Sequence, residues 1–243
     1  MSGAAVPETA MVLAAGLGTR MRPLTDDRPK ALVQVGGRAL IDHVLDRLAE
    51  AGVARAVVNV HAFADALEAH LRRRHDIEIV ISDERARLME TGGGVRQARA
   101  LLGERPIFVC NIDSVWDESA GSAMKRLAQR FDASRMGARL MLAAIDSQLG
   151  YDGEGDFFMA SDGELSFRDA LPHTPWVYMG VQIIDPAIID AEPLEPFSFT
   201  RIWRRLAKAG RLHGAPLGGF WMHVGDPRAR DAAEARIASA ARL

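Results

Sequence analysis

The sequence predicts an α/β protein: one domain built on a mostly parallel open sheet, with helices on both faces and antiparallel additions in the second half. Three observations carry this. Apolar runs alternate with helical-period stretches in the order β-α-β-α-β. The first apolar run stops at Gly16 and feeds a long polar loop, as a buried parallel strand does. No internal repeat, linker or low-complexity stretch divides the 243 residues.

The elements follow in order. Residues 1–8 are expected to form a disordered tail, because they are small, polar and proline-containing, and residues 9–243 the domain. Thr9 to Ala15 reads as the first strand. Leu40, Ile41, Val44, Leu45 and Leu48 fall at helical spacing before Gly52, which predicts a helix over Leu40 to Ala51. Ala56 to Val60 is a strand, Ala64 to Arg74 a helix and Glu78 to Ser82 a strand. Gly94 to Leu102 is a helix beginning directly after three glycines, and Ile107 to Asn111 a strand ending at Asn111-Ile112-Asp113. Further on, Ala138 to Ala144 and Val177 to Ile184 read as strands, and Phe157 and Phe167 flank a turn at Ser161-Asp162-Gly163. Phe199 to Ala209 is a helix stopped by Gly210, Gly219 to Val224 a strand, and Pro227 to Ala241 a closing helix.

Composition narrows the function. A hydrophobic fraction of 48% supplies a normal core, and a formal charge of −2 gives no global basic field, so nucleic acid is not an expected partner. The single cysteine, Cys110, has apolar neighbours and reads as inert packing in a reducing compartment. Met1 to Glu8 lacks a basic n-region and no apolar run reaches the length of a membrane span, so a cytoplasmic protein with no membrane partner is expected.

The chemistry is concentrated in one loop. Leu13-Ala14-Ala15-Gly16-Leu17-Gly18-Thr19-Arg20-Met21-Arg22-Pro23 is followed, after a short polar gap, by Pro29-Lys30. Small residues at a strand end let the backbone approach a ligand, and N–H groups there hold phosphate oxygens. Arg20, Arg22 and Lys30 add the charge that a triphosphate and a second phosphate need to lie side by side. The string is not a Walker loop, which ends in Gly-Lys-Ser/Thr, nor a dinucleotide fingerprint, because Met21 stands where that motif has its third glycine. In an open sheet of this kind, ligands sit outside the carboxyl ends of the strands, where this loop and Asp113 both fall.

This loop resembles the signature of the sugar-1-phosphate nucleotidyltransferases, Leu-Ala-Ala-Gly-x-Gly-Thr-Arg-x-x-Pro with a downstream Pro-Lys, and the likeness runs through Asp113 and Gly180 to Trp221-Met222-His223-Val224-Gly225. The resemblance implies a Rossmann-like nucleotidyltransferase fold. It implies that Leu13, Ala14, Ala15, Gly16, Gly18, Thr19 and Asn111 line the nucleotide, that Arg20 holds its outer phosphates, that Lys30 lies near the reacting phosphates, and that Gly92 and Gly93 lie against the base. Asp113 looks like the family's metal-binding aspartate, for Mg2+ or Mn2+, and Arg20, Lys30 and Asp113 would be the catalytic residues. Gly155, Asp156 and Gly180 would face the sugar, with Asp156 either accepting sugar hydroxyls or serving as a plain loop carboxylate. Leu88-Met89-Glu90-Thr91-Gly92-Gly93-Gly94 and Gly155-Asp156-Phe157 narrow the likeness to short bacterial members. These imply UTP and an N-acetylated amino sugar phosphate, in cell-wall precursor recycling; dTTP, CTP and GTP stay open. No trailing acyltransferase repeat domain is expected, and the protein would be a monomer or homodimer.

One position departs from that pattern. The family commonly has an aspartate where this chain has His223, and magnesium prefers oxygen. His223 then ligates a softer metal such as manganese, meets magnesium through water, contacts phosphate, or has no role; Asp226 is a possible substitute that reads more as a cap before Pro227. The implied reaction is in-line attack by a sugar phosphate oxygen on the α-phosphorus of the triphosphate, releasing pyrophosphate, with no protein nucleophile. A non-catalytic sugar-nucleotide-binding regulator and a Rossmann-type oxidoreductase are the competing classes.

Overall fold

The structure is a computed structural model and describes residues 5–118 and 121–240. In chain order its elements are β1 (Thr9–Leu13), β2 (Gln34–Val35), β3 (Arg38–Ala39), α1 (Leu40–Ala51), β4 (Arg55–Val60), α2 (Ala64–Leu71), β5 (Glu78–Asp83), α3 (Glu90–Leu102), β6 (Ile107–Asn111) and β7 (Ser114–Trp116). They continue with α4 (Ala123–Gln129), β8 (Ala138–Ala144), β9 (Gln148–Leu149), β10 (Phe157–Met159), β11 (Leu165–Phe167), β12 (Trp176–Ile184), α5 (Thr200–Lys208), β13 (Leu212–Pro216), β14 (Trp221–His223) and α6 (Pro227–Ala240).

A nine-stranded sheet forms the centre, in the order β11-β10-β12-β6-β1-β4-β5, with β8 beside β12 and β13 beside β8. Strands β6, β1, β4 and β5 are mutually parallel. β12 adds to β6 antiparallel and β8 to β12, where the antiparallel second half was expected. Helices cover both faces: α1, α2 and α4 pack on one side with Leu45, Leu48, Leu67 and Met124, while α3 and α5 pack on the other with Val95, Ala98, Ile202 and Leu206. Burying this many aliphatic side chains is what holds the layers together, each contributing about 1.5–3 kcal/mol. A smaller cluster of Met21, Val33, Leu40, Met222, Val224 and Ala233 pins the glycine loop and α6 together.

Among the element boundaries that depart from the sequence expectation, three stand out. Helix α3 begins at Glu90, so the three glycines lie inside its first turns rather than before it. Helix α2 stops at Leu71, where Arg74 turns back to pair with Asp42, Asp46 and Asp76. β14 is shorter than expected, starting after Phe220, whose N–H is held at 2.9 Å by the Asp117 carboxylate. Of the expected tail, residues 1–4 lie outside the described residues; Pro7 is buried and Val6 packs on the core. Ala241, the expected last residue of the closing helix, also lies outside them. Cys110 is fully buried in β6, and burial pushes its thiol far above the usual range, as inert packing requires.

Candidate active site

The carboxyl ends of β1, β4 and β6 open into one cavity of about 360 Å3, lined among others by Leu13, Ala15, Gly16, Lys30, Glu90, Thr91, Asn111 and Asp113. Residues from distant parts of the chain therefore meet where the parallel strands end. Gly16 has open space where a side chain would stand, so a ligand can approach its backbone directly. Gly18 serves a different purpose. It adopts the left-handed region at φ 63°, and a Cβ there would stand 2.9 Å from Lys30 Cβ and 3.1 Å from Thr25 Cγ2. The Thr25 hydroxyl donates to the Gly18 carbonyl at 2.9 Å, so this glycine lets the loop fold back and bring Lys30 to the site. Thr19 and Arg20 follow in a single turn over Thr19–Met21, both exposed.

Two of the loop's N–H groups are not free, contrary to the expectation for the strand end. Asn59 Oδ1 on β4 accepts from Ala14 N–H at 2.6 Å and Ala15 N–H at 3.2 Å. Asn59 Nδ2 donates to Glu84 Oε1 at 2.7 Å, and Glu84 Oε2 accepts from the Met89 N–H at 3.0 Å. Both side chains are buried, at 2% and 1% exposure, and they tie the glycine loop to the segment leading into α3. Burial raises the Glu84 carboxyl, against the opposing hydrogen bonds of Asn59 and Met89 and the nearby His61. A polar Asn inside the apolar run Val57-Val58-Asn59-Val60 was the only sequence signal for this network.

Lys30 and Asp113 form the centre. Lys30 Nζ lies 2.8 Å from Asp113 Oδ2, with the two side chains only 11% and 18% exposed. Burial works to raise the Asp113 carboxyl, yet the charge and hydrogen bond of Lys30 and the proximity of His223 hold it below the usual carboxylate range. His223 stands on β14, whose neighbour Val224 donates its N–H to the Asp113 carbonyl at 2.8 Å. Burial lowers the His223 pKa below the ordinary histidine range; Lys30 and Arg20 push the same way while Asp113 and Asp226 oppose, and the ring is neutral near pH 7. Arg20 is exposed in the turn that follows Gly18, the glycine packed on Lys30. Asp226 is a helix cap, accepting from the Ala229 N–H at 2.9 Å. Among the described residues, no group of three or more His, Cys, Asp or Glu side chains is placed to hold a metal ion.

Gly92 and Gly93 are small for a reason other than the one expected. A side chain at Gly92 would enter the Phe197 ring and one at Gly93 would meet the Glu195 carbonyl, while both N–H groups donate to Phe197 O at 2.9 and 3.1 Å. They seat α3 against residues 193–199. The cavity wall is made instead by Leu88, Glu90 and Thr91, and Glu90 holds a left-handed backbone at φ 61°, unusual for a residue with a side chain. Gly180 sits at a bulge in β12 at φ 88°, and a Cβ there would stand 3.1 Å from Asn111 Cβ and 2.7 Å from Ser114 Oγ. It permits the close approach of β12 to the end of β6.

Gly155 is likewise a packing position, buried against Thr174. Asp156 Oδ2 accepts from the Tyr178 N–H at 2.9 Å, and burial raises its carboxyl, so it locks the start of β10 to β12. Both nevertheless line a second cavity of about 370 Å3 with Arg168, Tyr178, Trp203 and Arg204. Sequence reasoning missed these last four, because their gathering depends on α5 packing over β12.

A glycine loop with an open backbone, a recessed lysine–aspartate pair and an exposed arginine beside them are the parts of an enzyme that handles the phosphates of a nucleoside triphosphate. Residues 10–210 match the MobA-like NTP transferase domain, and the chain belongs to that family. It is 57% identical over 238 residues to the N-acetylmuramate alpha-1-phosphate uridylyltransferase of Caulobacter vibrioides, covering 96% of this chain and 98% of the relative. The protein of the same name from Neisseria meningitidis is 32% identical over 219 residues, covering 89% and 92%. Among solved structures, the inositol-1-phosphate CTP transferase of T. maritima superposes with a TM-score of 0.78 at 16% identity, over 93% of this chain and 92% of that one, which shows the shared fold.

Proposed function

We propose that the chain transfers a uridylyl group from UTP to N-acetylmuramate 1-phosphate, releasing pyrophosphate and the nucleotide sugar. The observation that carries the reading is the recessed Lys30–Asp113 pair lining the glycine-loop cavity, in a chain 57% identical to a relative of that named activity. In this reading the loop from Leu13 to Thr19 and Asn111 hold the nucleotide, and Arg20 meets the β- and γ-phosphates that depart together. Lys30 holds the α-phosphate and the entering sugar phosphate in line. The sugar phosphate is ionised near neutral pH, so its oxygen attacks the α-phosphorus without a general base, and the bond to the β-phosphate oxygen breaks as the new one forms. The work is positioning and neutralisation, which a lysine and an arginine in a recessed site perform well.

Asp113 fits a divalent cation held by one carboxylate and by substrate phosphates, the usual arrangement for Mg2+. His223, neutral beside it, suits Mn2+ as a direct ligand or Mg2+ through water. Such an ion supplies neutralisation of charge between the triphosphate and the sugar phosphate when bound. A role in cell-wall precursor recycling in the cytoplasm accords with this substrate; among the described residues no helix is long and apolar enough to cross a membrane. The test is to offer purified protein four nucleoside triphosphates against a panel of sugar 1-phosphates, with Mg2+, with Mn2+ and with a chelator, and to measure pyrophosphate. UTP with N-acetylmuramate 1-phosphate should stand out and the chelator should abolish turnover. Faster turnover with another pair would overturn the substrate assignment.

A further inference from the structure

We infer that the second cavity reads a carboxylate on the acceptor sugar, and that Arg204 is the residue that discriminates the acidic sugar from its neutral parent. The inference rests on the proposed uridylyl transfer and assigns a specificity residue to it.

The two cavities neighbour one another across residues 198–200. Ser198 lines the glycine-loop cavity and Thr200 the second one, and the Ser198 hydroxyl donates to the Thr200 hydroxyl at 3.2 Å. Tyr178 lines the second cavity as well, two residues before Gly180, which packs closely on Asn111 of the glycine-loop cavity. In this inference a sugar whose phosphate lies at Lys30 and Asp113 projects its ring toward this space.

The space is furnished for an anion. Arg168 spends its donors on carbonyls alone, those of Gly155 at 3.1 Å, Leu171 at 2.7 Å and Pro172 at 3.4 Å. Of the two carboxylates lining the cavity, Asp156 is committed to the Tyr178 N–H. Asp169 is the other, and it bonds Arg204 Nη1 at 3.0 Å. That pair is open to water, with side chains 55% and 67% exposed, so it contributes little and is readily exchanged. Arg204 is meanwhile held by its stem on α5 and by stacking 4.4 Å over the Phe167 ring. Its planar fork is thus oriented before any ligand arrives, the property that makes arginine suited to a carboxylate. Asp169, with its backbone at φ 45°, acts as a placeholder for that carboxylate. N-acetylmuramate differs from N-acetylglucosamine by a lactyl ether that ends in a carboxylate. No other chemical difference separates the two acceptors, so a single guanidinium can tell them apart.

The experiment compares kcat/KM for UTP with each of these two sugar 1-phosphates in wild type, Arg204→Met and Asp169→Asn. Methionine keeps the packing of the arginine stem, and unchanged thermal unfolding verifies the fold. Arg204→Met should lose on the order of 30- to 100-fold on the acidic sugar, mostly in KM, the scale of a charged hydrogen-bonded contact. It should lose less than about 3-fold on the neutral sugar, which never meets that group. Asp169→Asn should lower KM for the acidic sugar alone, because the competitor is gone. Equal losses on both sugars, or no loss on either, would overturn the assignment of Arg204 while leaving uridylyl transfer standing. Absence of product from both sugars in the wild type would overturn both readings.

Discussion

Replacing Asn59 by aspartate exchanges one NH2 for an oxygen, and the structure sets the consequence. One oxygen of the new side chain still accepts from the Ala14 and Ala15 N–H groups, but the other faces Glu84 Oε1 across the 2.7 Å now spanned by the amide hydrogen bond. Two buried carboxylates at that distance cannot both ionise, so the folded variant retains one shared proton. Its pKa then lies roughly 2–3 units above the unfolded value, and each unit is worth about 1.4 kcal/mol. The sign follows by linkage: above the ordinary carboxylate range the native variant binds a proton that the unfolded chain does not, so stability falls as pH rises through that window. The variant should match wild type near pH 4 and be about 3–4 kcal/mol less stable by pH 8, a Tm deficit of roughly 6–16 °C at this chain length. Thermal unfolding across that pH range is the assay. A deficit that stays constant with pH would refute the buried Asn59–Glu84 contact as the tie between the glycine loop and the approach to α3.

Four further expectations are simpler. Arg20→Ala should lower turnover by roughly two to three orders of magnitude while unfolding at the wild-type temperature, because the side chain is exposed; steady-state kinetics with calorimetry decide it. Lys30→Arg should keep the charge but recover only part of the activity, since a planar fork fits poorly between Gly18 and Asp113, and full activity would make Lys30 peripheral. Gly18→Ala should cost about 1–2 kcal/mol and slow turnover, through its left-handed backbone and the contact with Lys30 Cβ; denaturant unfolding and kcat measure both. His223 is depressed in the folded state, so as pH falls through the ordinary histidine range the unfolded chain gains a proton that the native one refuses, and stability drops. His223→Gln should remove that part of the slope, and identical Tm profiles between pH 7 and 5 would contradict it.

The strand and helix rhythm was legible because each period stands out locally: α1 runs from Leu40 to Ala51 and β6 from Ile107 to Asn111, as their spacing predicts. The glycine loop, Lys30 and Asp113 were legible because short-range motif and strand end coincide, and they do line one cavity. The start of α3 was misjudged because three glycines read as a break. The small size of Gly92 and Gly93 answers Phe197 and Glu195, residues about a hundred positions away that no local pattern connects, and that of Gly94 answers Asn59 and Glu84. Asn59 and Glu84 were missed for the same reason, since each is an isolated polar residue until β4 and the end of β5 meet. Tyr178 and Arg204 come together at the second cavity through the packing of Trp203 on Tyr178, with ring centroids 4.6 Å apart.

Direct uridylyl transfer to the sugar phosphate by charge and positioning, with no protein nucleophile, fixes the stereochemistry at the α-phosphorus. Its most direct test is the stereochemical course with one diastereomer of uridine 5′-(α-thio)triphosphate and N-acetylmuramate 1-phosphate. A single in-line displacement at the α-phosphorus inverts its configuration, so the thio-substituted nucleotide sugar should form with inversion and release one pyrophosphate per product. Retention would reveal two successive displacements through a covalent uridylyl-enzyme, and would contradict a mechanism in which Arg20, Lys30 and Asp113 act by position and charge alone.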